Sequence, residues 1–246
     1  MWYIAQYHPS ALFSLRPANA TTSGGKTLVT PTPYAVKMAL LDVAIRVYGR
    51  AYAESWFPYL RDLKVAILLP DHFVVINTFV KILRPHKTGA KDHFGTGLEG
   101  PMGNTIAYRE LVHYAGALHL AILSESEDAP PPLTTLLSHI NYLGKRGGFV
   151  QWLGTQTVAT LPDDYSLLNP EPGAPFLATG LLQMMDDCGP KMTFADANVY
   201  SGRRLRVGAA NGRLLQPVVL PYQLERSSRS FSLYGRISDK SRSSLS

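Results

Sequence analysis

The stretch GGKTLVTPTPY (residues 24–34) leads directly into an apolar segment of helical period, residues 35–48. Thr32 is the predicted N-cap of that helix, and Pro33 suits the first helical turn, where a missing N–H costs nothing. The glycines leave backbone N–H groups free near a helix N-terminus, and Lys26 adds a positive charge. Such a segment is suited to bind an anion, for example a nucleic-acid phosphate. An ordinary loop and cap explains the same residues, so both interpretations stay open.

The elements on either side of this stretch predict an α+β fold. Residues 2–15 alternate as a strand does, 51–63 predict a second helix broken at Pro58, and 64–69 and 72–83 predict two strands. After a glycine-rich insertion at 84–104, residues 105–123 predict one or two strands, 132–142 a short helix and 150–153 a strand. The order β-α-β-β-α-β is that of a ferredoxin-like core.

The C-terminal third is predicted to be rich in loops. Residues 181–187 have a helical pattern, and residues 193–200 and 214–222 are strand candidates. Four arginines lie between these two candidates: Arg203, Arg204, Arg206 and Arg213. We expect one domain over residues 1–223 and a flexible basic tail at 224–246, because serine and arginine there cannot build a core.

Composition limits the function classes. The chain has 246 residues, 46% of them hydrophobic, and a formal charge of +6, which favours a polyanionic partner. A single cysteine excludes an internal disulfide framework and a cysteine-built zinc site, and it fits a reducing cytoplasm. The pattern of a signal peptide and an apolar run long enough to span a membrane are both absent from the sequence.

The strongest local signal for binding is GKRGG (residues 144–148). Lys145 and Arg146 are adjacent cations framed by glycines that let the backbone approach a phosphate closely. Phe149 follows them and offers a ring on which a base can stack. A glycine C-cap at the end of the preceding helix explains Gly144 without any ligand.

The insertion at 84–104 contains five glycines and several cations, among them Lys87 and Lys91. A long segment of this kind is typical of a finger that follows a nucleic-acid strand, although a solvated surface loop would have the same composition. His86 and Lys87 are adjacent and are candidates for the general acid and the charge stabiliser of RNA cleavage. A solvated pair of side chains explains them as well.

Motifs of several enzyme classes are missing. The sequence contains no P-loop, no nucleophile elbow and no paired-histidine helix motif. His113 and His119 are too far apart to chelate one ion directly. We therefore expect no metal ion, no cofactor and no catalytic residue.

Taken together, four segments resemble the CRISPR-associated RAMP proteins, and more narrowly their Cas five family. They are ALFSLR (11–16), the stretch from Gly24 through residue 41, NTIAYRE (104–110) and the glycine-rich residues 144–148. The resemblance covers residues 1–155. It implies an RRM-like (RAMP) core, with the insertion at 84–104 as a thumb. It also implies an RNA-binding subunit that caps the crRNA 5′ handle in a type I Cascade effector complex.

The resemblance further implies contacts with the backbone subunit and the large subunit, and it allows contact with target DNA near the PAM end. On these grounds we predict that ten residues bind RNA: Arg16, Lys26, Lys37, Arg46, Lys87, Lys91, Arg109, Lys145, Arg146 and Phe149. Two alternatives stay open at this point. One is a metal-independent endoribonuclease that processes pre-crRNA, and the other is an unrelated basic enzyme or small-molecule binder.

Overall fold

The computed structural model describes residues 1–20, 25–85, 102–124, 132–171, 173–174 and 177–237. The helices are α1 (Pro33–Tyr48), α2 (Arg50–Asp62), α3 (Leu133–Ser138) and α4 (Phe194–Ala197), with a 3-10 turn at Val199–Ser201. The strands are β1 (Trp2–Pro9), β2 (Lys64–Leu68), β3 (His72–Pro85), β4 (Met102–Tyr114), β5 (Leu118–Leu123), β6 (Val150–Val158), β7 (Ser166–Leu167), β8 (Leu181–Cys188), β9 (Arg213–Leu220), β10 (Tyr222–Ser227) and β11 (Phe231–Arg236). None of the helices in these residues is long and apolar enough to cross a membrane.

The central sheet has the strand order β6-β1-β5-β2-β7. Strands β1 and β2 are both antiparallel to β5, which lies between them, so they run parallel to each other and are joined by α1 and α2. Strands β5 and β6 flank β1 in the same way and are joined through α3. Two interleaved split βαβ units are the ferredoxin-like topology. The predicted α+β fold is confirmed.

The core lies between this sheet and its helices. The inward-facing side chains of β1 and β5, such as Ala5 and Leu120, meet an apolar face of α1 that includes Val36 and Leu40. Tyr7 is buried there and donates a hydrogen bond to the carbonyl of Leu137 at 2.7 Å. The predicted start and end of α1 are confirmed: Thr32 accepts from the N–H of Ala35, and Gly49 caps the C-terminus at a φ of 87°.

Helix α2 is continuous, although we expected it to break at Pro58. Pro58 and the residue one turn earlier, Glu54, both lie on the exposed side of the helix. The carbonyl that loses its intrahelical donor can therefore be satisfied by water, and the proline is tolerated.

A second sheet has the strand order β10-β11-β3-β4. Strands β3 and β4 lie between β2 and β5 in the sequence, and β10 and β11 are the last two strands of the described chain. Strands β3 and β4 pair in register from Phe73 and Tyr114 out to Pro85 and Met102. The predicted thumb at 84–104 thus begins at the far end of a long hairpin. Residues 86–101 lie outside the described residues.

The predicted tail at 224–246 is wrong over the residues that the structure describes. Strands β10 and β11 pair with each other, and β11 pairs with β3. The ring of Tyr234 stacks on Phe73 at 5.1 Å between centroids, and Tyr222 is buried with its hydroxyl donating to the carbonyl of Leu69 at 2.8 Å. The serine-rich composition of this segment gave no indication of these aromatic contacts. Residues 238–246 lie outside the described residues.

Two further predictions in the C-terminal third are wrong. Residues 181–187 form strand β8, which pairs with β9, so tertiary pairing overrides the helical tendency of leucine, glutamine and methionine. Residues 193–200 form α4 and the 3-10 turn rather than a strand. The helix begins at a capping box in which Thr193 and Asp196 satisfy each other's backbone N–H groups.

Candidate nucleic-acid interface

The glycine-rich loop, residues 144–148, is a tight turn with a fixed shape. Two backbone hydrogen bonds close the turn. The N–H of Leu143 donates to the carbonyl of Gly148 at 3.0 Å, and the N–H of Gly148 donates to the carbonyl of Lys145 at 3.1 Å. Gly144 has a φ of 76° and Gly147 a φ of 114°, values that favour glycine. The turn therefore presents Lys145 and Arg146 at its outer end.

This loop packs against the segment that follows β1. A Cβ atom on Gly148 would lie 2.9 Å from Cδ1 of Phe13, and one on Gly144 would lie 2.8 Å from Cδ2 of Leu15. Close packing therefore favours glycine at both positions, and the positive φ of Gly144 favours glycine there in addition. The next residue along the packed segment is Arg16, so the fold brings Arg16 next to the loop.

The same segment holds the Gly25–Lys26 stretch on its other side. Leu15 and Leu28 form a β-bridge, and the N–H of Leu15 donates to Oγ1 of Thr27 at 2.8 Å. A Cβ atom on Gly25 would lie 2.4 Å from the carbonyl oxygen of Tyr108, so this stretch lies directly on β4. Two glycine-containing segments distant in sequence thus flank the segment that ends at Arg16.

Glu110 anchors the Gly25–Lys26 stretch. Its buried carboxylate accepts from the N–H of Thr27 at 3.0 Å and from the hydroxyl of Tyr108 at 3.1 Å, and it pairs with Nζ of Lys26 at 2.6 Å. The hydrogen bond to Glu110 raises the pKa of Lys26, with partial burial acting in the opposite direction. The Lys26 side chain is 77% exposed, so its ammonium is charged and accessible.

A cavity of about 350 Å³ opens between these segments and the N-terminus of α1. Residues 33–36 include no acidic side chain, so the positive end of the helix dipole faces the cavity uncompensated by its own first turn. Three cations line the cavity: Arg16, Lys145 and Arg213. The wall also includes the apolar and aromatic residues Leu15, Tyr34, Met38 and Tyr142, and one acidic residue, Asp186, whose carboxylate is paired with Arg213. An anion with an attached flat ring, such as a nucleotide, fits this combination.

Arg213 is the residue of this cavity that sequence reasoning missed as a site. Its Nη1 pairs with Oδ2 of buried Asp186 at 3.1 Å, and its guanidinium lies 4.9 Å from the centre of the Tyr34 ring. Burial raises the pKa of Tyr34 to about 12, so its hydroxyl keeps its proton at neutral pH. The signal in the sequence was the group of four arginines at 203–213, which gave no indication of the partner in α1.

The structure separates the other predicted residues. Phe149 is 48% exposed, and its backbone bridges to that of Tyr142 beside the loop, but Phe149 is not one of the residues that line the cavity. Arg109 donates from Nη1 to its neighbour's carbonyl at Tyr108, 2.7 Å away. Arg46 pairs with Asp42 and reaches the carbonyl of His139, which ties α1 to the end of α3 rather than to the cavity. Lys87 and Lys91 lie outside the described residues.

The structure argues against the RNA contact expected for Lys37. Its side chain is 2% exposed and its Nζ pairs with Oδ1 of Asp187 at 2.6 Å, while also donating to the carbonyl of Arg61 at 2.6 Å. A cation that is buried and already paired cannot reach a phosphate. Lys37 instead links α1 to β8 through its ion pair with Asp187, so it is not part of the candidate interface.

Comparison with known proteins bears on the resemblance noted from the motifs. No family model matches the chain. A curated protein from Archaeoglobus fulgidus described as "CRISPR-associated protein Cas5" is 28% identical over 122 residues, which is 49% of this chain and 50% of that protein. The resemblance to the Cas five family, Cas5, is confirmed. The matched region spans about half the length of the Cas5 relative.

Solved structures of CRISPR proteins are also similar in outline. One described as "Crystal structure of a CRISPR protein from Archaeoglobus fulgidus" has a TM-score of 0.49 and 12% identity, covering 97% of this chain and 92% of the other. A chain of a "CRISPR RNA-guided surveillance complex" has a TM-score of 0.48 and 12% identity, covering 89% and 91%. Because these scores are below 0.5, the fold rests on the chain's own strand order, and the likeness to Cas5 rests on the sequence match.

Proposed function

We propose that this chain is a Cas5-type RNA-binding subunit of a CRISPR type I effector complex that holds the 5′ handle of the crRNA. The observation that carries the proposal is the cavity at the N-terminus of α1, where Arg16 and Lys145 from distant segments converge with a glycine-rich turn. The cations supply phosphate contacts, and the tight turn lets a backbone approach closely. The sequence similarity to Cas5 supports the choice of RNA as the polyanion.

In this role the subunit binds and positions RNA without cutting it. We further propose the backbone subunit and the large subunit of the complex as its protein partners, with target DNA near the PAM end within reach. His86 and Lys87, the candidates for a cleavage role, lie outside the described residues. Pre-crRNA processing therefore stays an alternative that the same RNA substrate tests.

The test is a fluorescence anisotropy titration with labelled 5′-handle RNA over a series of salt concentrations. The double variant Lys145→Gln/Arg146→Gln should bind more weakly. It should also flatten the log–log salt dependence by about 1.4, because each phosphate contact to a single strand contributes roughly 0.7. Lys191→Gln is the matched control, since Lys191 is an exposed lysine on the loop that follows β8.

An unchanged salt slope in the double variant would refute the phosphate contacts. The same RNA, extended to a full repeat and incubated in chelator, is then examined on a denaturing gel. We expect it to remain intact. A single defined product that disappears in His86→Ala or Lys87→Ala would replace the binding-only proposal with the endoribonuclease.

A further inference from the structure

The loop after α4 carries a feature that the proposed function does not use. In residues 198–206, which we call the arginine loop, Val199 is 83% exposed and Tyr200 is 94% exposed. Arg203, Arg204 and Arg206 follow within six residues of Tyr200, and residues 198–213 contain no aspartate or glutamate. An exposed aromatic ring close in sequence to several cations is the combination with which proteins bind single-stranded nucleic acid.

The base of the arginine loop is fixed. Asn198 accepts the N–H of Tyr200 at 3.0 Å, and Ser201 Oγ accepts the N–H of Arg203 at 3.2 Å. Leu205 packs against the main core, while its neighbours Arg204 and Arg206 are exposed. The tip is therefore held in place by its own hydrogen bonds and by the partly buried side chain of Leu205.

Asp196 ties the arginine loop to the start of α4. It accepts from Oγ1 of Thr193 at 2.6 Å and pairs with Nη1 of Arg203 at 3.2 Å. The Thr193 hydrogen bonds, followed by Arg203, hold the pKa of Asp196 below its usual range, so the carboxylate stays ionised at neutral pH. This pair orients Arg203 and leaves its side chain 57% exposed.

The arginine loop is joined to the cavity described above. The N–H of Arg213 donates to the carbonyl of Arg206 at 2.9 Å, and Gly208 N–H donates to Arg213 O at 2.7 Å. A Cβ atom on Gly212 would lie 1.9 Å from that same Arg206 carbonyl, so the two chain segments are in close contact. Because Arg213 itself lines the cavity, the backbone of the arginine loop is hydrogen-bonded to a residue of the cavity wall.

We propose that the arginine loop is a second nucleic-acid site, at which one base of a single strand stacks on Tyr200 while Arg204 and Arg206 bind the adjoining phosphates. Cations beside an exposed ring are the two elements by which proteins hold single strands without reading their sequence. The absence of acidic side chains over residues 198–213 favours a polyanion over a protein surface of mixed charge. This site does not depend on the CRISPR assignment.

The test uses the full chain and labelled homopolymers of uridine and of deoxythymidine, each roughly 12 nucleotides long, within the usual size of such sites. Tyr200→Ala should weaken binding about tenfold, whereas Tyr200→Phe keeps the ring and should stay within about twofold of the wild type. Tyr52→Ala is the matched control, because Tyr52 is a 58% exposed tyrosine on α2. If Tyr200→Ala loses the same affinity for both polymers, the site accepts either sugar. If the loss of affinity is larger for one polymer, that polymer identifies RNA or DNA as the preferred ligand.

Two further measurements keep the outcomes separate. Arg204→Gln/Arg206→Gln should flatten the salt slope by about 1.4. Photocrosslinking to 5-bromouridine RNA should modify the tryptic peptide 192–203 at Tyr200. Both are repeated in the Lys145→Gln/Arg146→Gln background, so that loss of the glycine-loop contact cannot conceal this one. If that background binds 5′-handle RNA with the wild-type salt slope while Tyr200→Ala weakens binding of the homopolymers, the proposed function fails and this site stands.

The proposal is overturned if Tyr200→Ala binds both polymers as tightly as the wild type. It is also overturned if Tyr200→Phe is as weak as Tyr200→Ala, because the ring would then not be stacking. Preferential binding of duplex DNA that is insensitive to Tyr200 would equally exclude a stacked single strand. Because the Tyr200 side chain is almost fully exposed, the melting temperature of Tyr200→Ala should match that of the wild type and exclude unfolding as the cause.

Discussion

Replacing Lys37 with methionine tests whether this lysine is structural or binds RNA. Methionine retains the length and the apolar stem of the side chain and removes the charge. The change leaves Asp187 without the ammonium that lies 2.6 Å from its Oδ1. Asp187 keeps two other donors, Nδ2 of Asn169 at 3.0 Å and the N–H of Cys188 at 2.7 Å. Its side chain is 13% exposed, so the carboxylate also retains limited access to water.

These contacts set the expected magnitude. Breaking a buried ion pair from one side costs about 3–5 kcal/mol of unfolding free energy, because the remaining charge is left uncompensated. Since Asp187 keeps two donors, we expect the lower end, about 3 kcal/mol. For a chain of this size that corresponds to a melting temperature lower by roughly 6–12 °C. Lys37→Met/Asp187→Leu removes the orphaned charge as well and should recover at least about 1 kcal/mol.

Urea and thermal unfolding followed by circular dichroism measure the stability change, and anisotropy measures RNA binding. Arg46→Gln is the control, because Arg46 pairs with Asp42 in a 42% exposed setting and should cost less than about 1 kcal/mol. The structural role is refuted if Lys37→Met has the melting temperature of the wild type and instead flattens the salt dependence of handle RNA binding by about 0.7.

Two further variants test the packing of the interface and of the C-terminal strands. Gly148→Ala should lose about 1–3 kcal/mol of unfolding free energy and weaken handle RNA binding, because its Cβ would lie 2.9 Å from the fully buried Phe13. Gly154→Ala, whose Cβ would meet nothing within 4 Å, is the control, and equal melting temperatures for the two would contradict the packing argument. Tyr222→Phe should cost about 0.5–1.5 kcal/mol through the lost hydrogen bond from its hydroxyl to the carbonyl of Leu69, which keeps Nη2 of Arg236 as a donor, and a chain ending at Pro221 should lose far more by exposing Phe73. An unchanged melting temperature in the shortened chain would restore the flexible tail that the sequence predicted.

The parts of the fold that the sequence predicted are those decided by neighbouring residues. The cap at Thr32, the start of α1 at Pro33 and its end at Gly49 depend on side chains within a few positions. The order of elements from β1 to β6 then allows few topologies. The same local rules failed at β11, whose partner β3 lies about 160 residues earlier, because the pairing that stabilises a strand there is not visible in its own composition.

Prediction of the site was limited in the same way. The glycine-rich turn and Lys26 were found because glycine spacing and charge are local features. The burial of Lys37 could not be predicted, since its partner Asp187 is 150 positions away. A lysine on a helix is most often exposed, so charge by itself predicted the wrong environment. Arg213 was overlooked for the same reason: its ring partner Tyr34 is distant in the sequence, in the first turn of α1.

Lys37 nevertheless bears on the interface through strand β8. Successive residues of a strand face opposite sides, so Asp187 and Asp186 point away from each other. Asp187 is fastened to α1 by Lys37, and Asp186 pairs with the Arg213 that lines the cavity. The buried ion pair between Lys37 and Asp187 therefore connects the β8–β9 hairpin to helix α1. On the other face of β8, the ion pair between Asp186 and Arg213 orients the Arg213 guanidinium toward the proposed RNA. In this arrangement a lysine without access to solvent contributes to RNA binding only by holding the strand that positions Arg213. A loss of affinity in Lys37→Met should accordingly be accompanied by a loss of stability, with no change in the number of phosphates neutralised.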